Sequence, residues 1–412
     1  MNKSSDFGKF LLLWSGELIS SIGGGLTSFG LGVYVFNMTG SAAKMALITL
    51  AGFLPTILLG IPAGILADKY DRRLLMMIGD GCSALGIVYI LICMMQGGAS
   101  ILQICAGVFV SAVFSALLEP SFRATITDLL TEEEYSRASG LVSLAGSARY
   151  LFSPVIAGFL LTVSDIRLLL VIDICTFFLT VAGAGVVRRG IGAVRPAPGG
   201  SFAESFHEGW QAISSNKGVL MLVAISSVMT LFMGMFQILA EPLILSFSDS
   251  ATLGIAETIC ACGMLASGVF LGIKGIKKNY VRVLSFSLML SGIFMIGFGL
   301  FEKIIMICLF GFLFFAALPF ANNSLDYLAR TNIPAAFQGR AWGLIGFLSQ
   351  LGYIFAYGLS GLAADSLGNV TGLGVGRGAA ITVMIAGLLL FTAALFILPI
   401  KSIRKLDITR SL

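Results

Sequence analysis

From residue 9 to residue 399 the chain is a near-continuous series of apolar runs, each twenty or more residues long and separated by short loops. An apolar run of about 20 residues crosses a bilayer as a helix, because a helix satisfies its own backbone where no water is present. The runs fall near 9–37, 44–67, 74–96, 100–125, 138–163 and 166–187, then near 218–246, 251–273, 281–301, 304–329, 339–365 and 378–399. Twelve spans use up nearly all of the 412 residues, so no appended soluble domain is expected. At 57% hydrophobic and 11% charged residues the chain has too little polar surface for a soluble globule. The first run, which follows Lys3 and Lys9, reads as a span and not as a cleaved signal, since no small-residue cleavage site follows it.

A basic turn, Gly64-Ile65-Leu66-Ala67-Asp68-Lys69-Tyr70-Asp71-Arg72-Arg73, separates the second and third runs and orients the rest. Positively charged short loops stay in the cytoplasm. With both termini placed there, Lys69, Arg72, Arg73, Arg137, Arg188, Arg189, Lys274, Lys277, Lys278, Arg282, Arg330, Arg340, Lys401, Arg404 and Lys405 fall on the inner side. Only Lys44, Arg167, Lys303 and Arg377 fall outside. The expected location is therefore a multi-pass protein of the plasma or inner membrane, both termini cytoplasmic.

One extended polar stretch, 188–217, divides the runs six and six, with Pro196, Pro198, Gly199 and Gly200 as helix breakers. Within it Ser201 and Glu204 are spaced as a capping box, and Phe202, Phe206, Trp210 and Ile213 recur every three to four residues. That pattern predicts an amphipathic helix on the inner membrane surface. The expected domains are a six-helix half at 1–187, the linker at 188–217, a second half at 218–400 and a tail at 401–412. The turn at 272–278 stands in the second half where 64–73 stands in the first, keeping the basic residues and losing the aspartate, as a remote repeat would. The 50 glycines suit helices that pack closely.

The net charge of +5 is no sign of nucleic acid, because the cations sit in loops on one side without interleaved aromatics. The seven cysteines lie inside apolar runs, and the single histidine, His207, lies far from them, so no metal site and no cofactor is expected. The sequence contains no phosphate-binding loop, zinc-protease motif or nucleophile elbow, which excludes ATP-driven transport and hydrolysis. The expected partners are a small-molecule substrate, protons and the lipid bilayer, with no obligate protein partner evident.

Acids inside spans are the main functional pointers, since a charge in hydrocarbon is costly unless paired or wet. Glu17 lies ~12–15 Å into the first helix and Arg149 ~17 Å into the fifth. Matching depth suggests a proton site held by the arginine or a static buried pair. Glu119 and Asp326 occupy equivalent places in the fourth and tenth helices, each four residues before an arginine, Arg123 and Arg330. Either these are ordinary surface pairs, or, beside Pro120 and Pro319, they sit at kinks lining a cavity. Asp80 and Asp173 are expected to face the helix interior and pin packing, and Glu241 and Glu257 to serve an outer gate or stay solvated. Of the 32 phenylalanines, those in cavity-lining helices include Phe29, Phe114, Phe236 and Phe315, joined by the polar Gln237, Asn322 and Asn323. A subset of these would suit a large apolar substrate held by area and stacking.

The basic turn resembles the loop between the second and third helices of major facilitator superfamily transporters, with Asp71 where that family has its second glycine. Further stretches resemble the macrolide-efflux-like branch, which contains drug and siderophore exporters. They are Leu13-Trp14-Ser15-Gly16-Glu17, Thr39-Gly40-Ser41-Ala42, Ser153-Pro154-Val155-Ile156-Ala157-Gly158, Pro319-Phe320, Gly339-Arg340 and Ala363-Ala364-Asp365. The resemblance implies the major facilitator fold, in which two halves enclose a midplane cavity. It implies that Gly64, Asp68, Arg72 and Arg73 form a cytoplasmic gate against the start of the eleventh helix near Arg340. It also implies that Ser153, Pro154 and Gly158 are a weakened antiporter motif. The expected function is proton-driven efflux of amphipathic small molecules by alternating access. A proton-coupled uptake symporter, or a metabolite or siderophore permease of the same fold, is the alternative.

Overall fold

The computed structural model describes residues 6–189, 202–334 and 337–408, and it is helical throughout apart from turns. In chain order the first helices are α1 (Phe7–Thr39), α2 (Ala42–Lys69), α3 (Arg72–Met95), α4 (Ile101–Ser115), α5 (Leu118–Leu129), α6 (Tyr135–Leu151), α7 (Ser153–Val163) and α8 (Ile166–Arg189). They are followed by α9 (Phe202–Ser214), α10 (Lys217–Leu245), α11 (Ser250–Lys274), α12 (Tyr280–Leu300), α13 (Ile304–Asn332), α14 (Gln338–Thr371), α15 (Val375–Leu395) and α16 (Lys401–Ile408). Among the described residues, 12 helical spans are long and apolar enough to cross a membrane. Their ends lie within a few residues of the expected ones except at α14, which runs on through Gly368 to Thr371 and ends at Gly372, at φ 68°.

Prolines explain where two spans break. The fourth is split into α4 and α5 just ahead of Pro120, and the fifth into α6 and α7 at Phe152, two residues before Pro154. A proline has no N–H to give and crowds the preceding turn, so the helix restarts with the proline in its first turn. Pro319 does not have this effect, since α13 runs unbroken from Ile304 to Asn332. The linker helix α9 covers the expected amphipathic stretch, burying Ala212 and Ile213 and exposing Phe206 and Trp210. Ser201 of its proposed cap, and the breakers Pro196, Pro198, Gly199 and Gly200, lie outside the described residues.

The chain divides into two compact units, Met1–Thr39 with Leu47–Gly199 and Gly40–Ala46 with Gly200–Leu412. In the first, α1 packs on α6, α7 and α8, while α3 packs on α4, α5 and α8. In the second, α10 packs on α14 and α15, while α12 packs on α13 and α15. These pairings correspond between the units, whereas the close packing of α11 on α13 has no comparable counterpart between α2 and α4 or α5. Trp14 donates its indole N–H to the Leu141 carbonyl at 2.6 Å, tying α1 to α6. On its α8 side α1 comes so close that a Cβ on Gly23 would stand 2.8 Å from Asp173 Oδ1. That proximity leaves room only for glycine and lets Thr27, one turn on, donate to Asp173 Oδ2 at 2.6 Å.

Candidate functional site

The basic turn is short because α3 starts almost where α2 ends. Asp71, at φ −60° and ψ 111°, caps α3 by accepting the Arg73 N–H at 3.0 Å, so this turn needs no glycine. Its other oxygen receives Arg188, at the end of α8, at 2.7 Å. Partial burial works to raise the Asp71 pKa, but the Arg188 hydrogen bond and the backbone N–H groups of Arg73 and Leu74 outweigh it and hold the carboxyl below the usual range.

Arg72 and Arg73 both turn to Asp128, near the end of α5, at 2.6 and 3.4 Å. Arg72 also donates to the Ala67 and Ala124 carbonyls. Asp128 escaped the sequence reading. Its signal was an acid at the inner end of a span, the same end as two arginines with no acid assigned to them. Asp68 is only 3.9 Å from Arg72 and its side chain is 66% exposed, so its carboxylate is barely engaged within its own unit. Gly64 is half-buried with open space around it. In the second unit Arg340, at the start of α14, forms an ion pair with Glu208 of the linker helix α9.

The Ser153-Pro154 run sits at the α6–α7 break. Ser153, Pro154, Ala157 and Gly158 are all buried, and the Ser153 hydroxyl donates to the Ile22 carbonyl of α1 at 3.0 Å. A Cβ on Gly25 of α1 would collide with the Ser153 hydroxyl. The kinked fifth span thus leans on α1 through small residues.

Three carboxylates gather in the first unit, Glu17 on α1, Asp80 on α3 and Asp173 on α8, and they interact electrostatically through Asp80. Asp173, 1% exposed, takes hydroxyl hydrogen bonds from Thr27 and Thr176. Both aspartates are interior, as expected. Glu17 is half-buried and has Glu119 as a further charged neighbour. No ion pair joins Glu17 to Arg149 among the described residues. Arg149 acts on Asp173 instead, because its stem lies beside Gly25, about two turns or ~12 Å beyond Glu17 on α1. Glu119 and Arg123 form an exposed i,i+4 pair at 2.8 Å, which is the ordinary surface arrangement.

In the second unit Phe236 is buried, stacked on Phe314 at 4.3 Å and tilted against Phe298 at 4.4 Å, with Phe315 edge-on at 5.6 Å. It is a packing residue of that unit, as Phe29, also buried, is of the first. Phe114 and Phe315 are half-buried, while Asn322, Asn323 and Asp326 lie on the open side of α13. Gln237 accepts a hydrogen bond from Tyr357 at 3.2 Å. Arg330 acts on Asp326 and also lies 5.3 Å over the Trp342 ring. Glu241 and Glu257 are neighbours, and one Glu241 oxygen is buried without a hydrogen-bond partner. Both are half-buried and not freely solvated, which leaves the outer-gate alternative of the expectation.

These arrangements bring together a short basic turn, a fifth span broken at Pro154, and acids within the spans. The Major Facilitator Superfamily profile matches residues 13–357. The chain belongs to the Major Facilitator Superfamily. It is a multi-pass membrane secondary transporter and not an enzyme. Macrolide efflux protein A of Streptococcus pyogenes is 25% identical over 97% of this chain and 98% of its own. The uncharacterized MFS-type transporter YfiS of Bacillus subtilis (strain 168) is 25% identical over 87% of each. Among solved structures, a bacterial homolog of the human lysosomal transporter Spinster, inward-facing and unoccupied, superposes with a TM-score of 0.74. It is 13% identical and covers 98% of this chain and 99% of its own. The POT family transporter PepTSo superposes at 0.77, with 12% identity over 97% of this chain and 98% of its own. At these identities the two structures speak for the fold alone.

Proposed function

We propose that the protein exports amphipathic small molecules, drugs among them, in exchange for protons, by alternating access in the plasma or inner membrane. The rocking bodies are the halves 1–187 and 218–400, joined by the linker 188–217, with the tail 401–412 and both termini in the cytoplasm. The observation that carries the outward direction is the similarity to macrolide efflux protein A along 97% of the chain. The seating of Ser153 against the Ile22 carbonyl supports an exchanger, since a tightly closed contact there opposes leakage through the first half.

Glu17 is the proton carrier in this reading. It is half-buried beside further acids instead of being locked to a cation, so it can gain and lose a proton as its surroundings change. Arg149 stabilises the interior Asp173, and Asp326 with Asn322, Asn323, Phe114 and Phe315 offers the substrate a mixed polar and aromatic surface. Asp68, Arg72, Arg73 and Arg340 work the cytoplasmic gate.

Cells expressing the protein are expected to accumulate less of a fluorescent amphipathic dye or macrolide than control cells, with an uncoupler abolishing the difference. Raised accumulation would overturn export. Glu17→Gln is expected to remove drug-dependent proton movement, and its persistence unchanged would make Glu17 structural.

A further inference from the structure

The first turn of α2 is capped by a residue more than three hundred positions away. The first N–H groups of a helix have no partner within it and carry a partial positive charge. At α2 the N–H of Ala42 donates to Asp365 Oδ1 at 2.9 Å, and the N–H of Ala43 to Oδ2 at 3.2 Å. The hydroxyl of Ser41, the residue that would ordinarily cap the helix itself, also donates to Oδ2, at 2.5 Å, while accepting the Lys44 N–H. One carboxylate of α14 thus takes three donors. One turn earlier on α14, a Cβ on Gly361 would stand 2.6 Å from the Ala42 carbonyl oxygen, so backbone lies on backbone. Ala42 and Ala364 are fully buried.

All of these atoms belong to the second unit, which includes Gly40–Ala46, whereas α2 from Leu47 onward belongs to the first. A helix whose first turn goes with one unit and whose remainder goes with the other must release one of them when the halves rock. The capped turn is one of the attachments of α2, and its hydrogen bonds converge on one side chain.

We propose that Asp365 is an outer latch, a positioning residue that holds the first turn of α2 on α14 and lets go whenever the transporter opens to the outside. The proposal rests on the alternating-access reading and on α2 beginning at the outer face. Hydrogen bonds to a charged acceptor are among the stronger ones, so removing the carboxylate shifts the equilibrium toward the released state by about tenfold or more. Neither Asp365 nor Ser41 has a part in the proton or substrate steps above.

Met45 lies in the same turn and is 1% exposed. A cysteine there (Met45→Cys), in a chain whose exposed Cys175 and Cys262 are replaced by serine, reports opening through its reaction with a membrane-impermeant maleimide added outside. Asp365→Ala is expected to raise the labelling rate about tenfold or more. Ser41→Ala, which removes one donor of three, is expected to raise it less, and it keeps the test decisive where Asp365→Ala does not fold. Equal rates in the native and altered chains, all purified as the same monodisperse species, overturn the latch. Labelling requires no substrate or proton gradient. Raised labelling with no dye export would therefore overturn the export reading alone, and normal export with unchanged labelling would overturn the latch alone.

Discussion

Asp128 balances two arginines at the inner end of the first unit, and its side chain is only 9% exposed. Arg73 beside it is 2% exposed and, among the described residues, has no other acid within ion-pair distance. Breaking a buried pair by removing one partner leaves the other charge without compensation, at a cost of about 3–5 kcal/mol. Asp128→Asn keeps the shape and removes the charge. It is expected to lower the unfolding free energy by about 3 kcal/mol, seen as a lower melting midpoint in detergent. An unchanged midpoint would mean that the arginines find other acceptors. The same substitution is expected to slow transport, since Arg72 and Arg73 would lose the anchor that fixes the basic turn of the proposed gate. Arg188→Gln is the milder comparison, because its pair with Asp71 is half in solvent and surface pairs contribute little.

Helix α1 shows what an element requires of its neighbours. It lies against α8 through Gly23 and against α7 through Gly25, and each contact gives a carboxylate or hydroxyl its place. Gly25→Ala adds a methyl where the Ser153 hydroxyl stands. Overpacking costs about 1–3 kcal/mol, and alanine returns about 1 kcal/mol of helix propensity, so a net loss of about 1 kcal/mol is expected. Ser153→Gly in the same chain removes both the colliding oxygen and the Cβ that would stand 2.6 Å away, and should restore part of the melting midpoint. A double variant no more stable than Gly25→Ala alone would reject the contact as the cause. The element boundaries were legible in the sequence because hydropathy and proline placement act locally, as the breaks before Pro120 and Pro154 show. The Glu17–Arg149 pairing was not legible. Counting residues gives depth along a helix, but it cannot see that the kinked fifth span meets α1 at Gly25, beyond Glu17. Nor does local sequence show that Phe236 turns into its own unit, which follows from its stacking on Phe314 of α13.

At the scale of the molecule, the two units share most of one scheme of helix pairings, and the residues with latent roles lie at the ends of helices. Asp365 near the end of α14 caps the start of α2. Asp68 near the end of α2 is a second acid at a helix end, where the proposed gate faces the start of the eleventh span. The exposure of Asp68 and its distant contact with Arg72 leave that carboxylate free to act on the positive end of another helix. Asp68→Asn keeps the size and loses the charge, so the inner side should close less well. An introduced inner-side cysteine would then react faster with a maleimide in inverted vesicles, and transport would slow. Because Asp68 contributes little within its own unit, the melting midpoint should stay near the native value, which separates this variant from Asp128→Asn. Unaltered transport together with unaltered labelling would reject Asp68 as a gate residue. The Asp365 latch would then be the one helix-end acid with a role in alternating access.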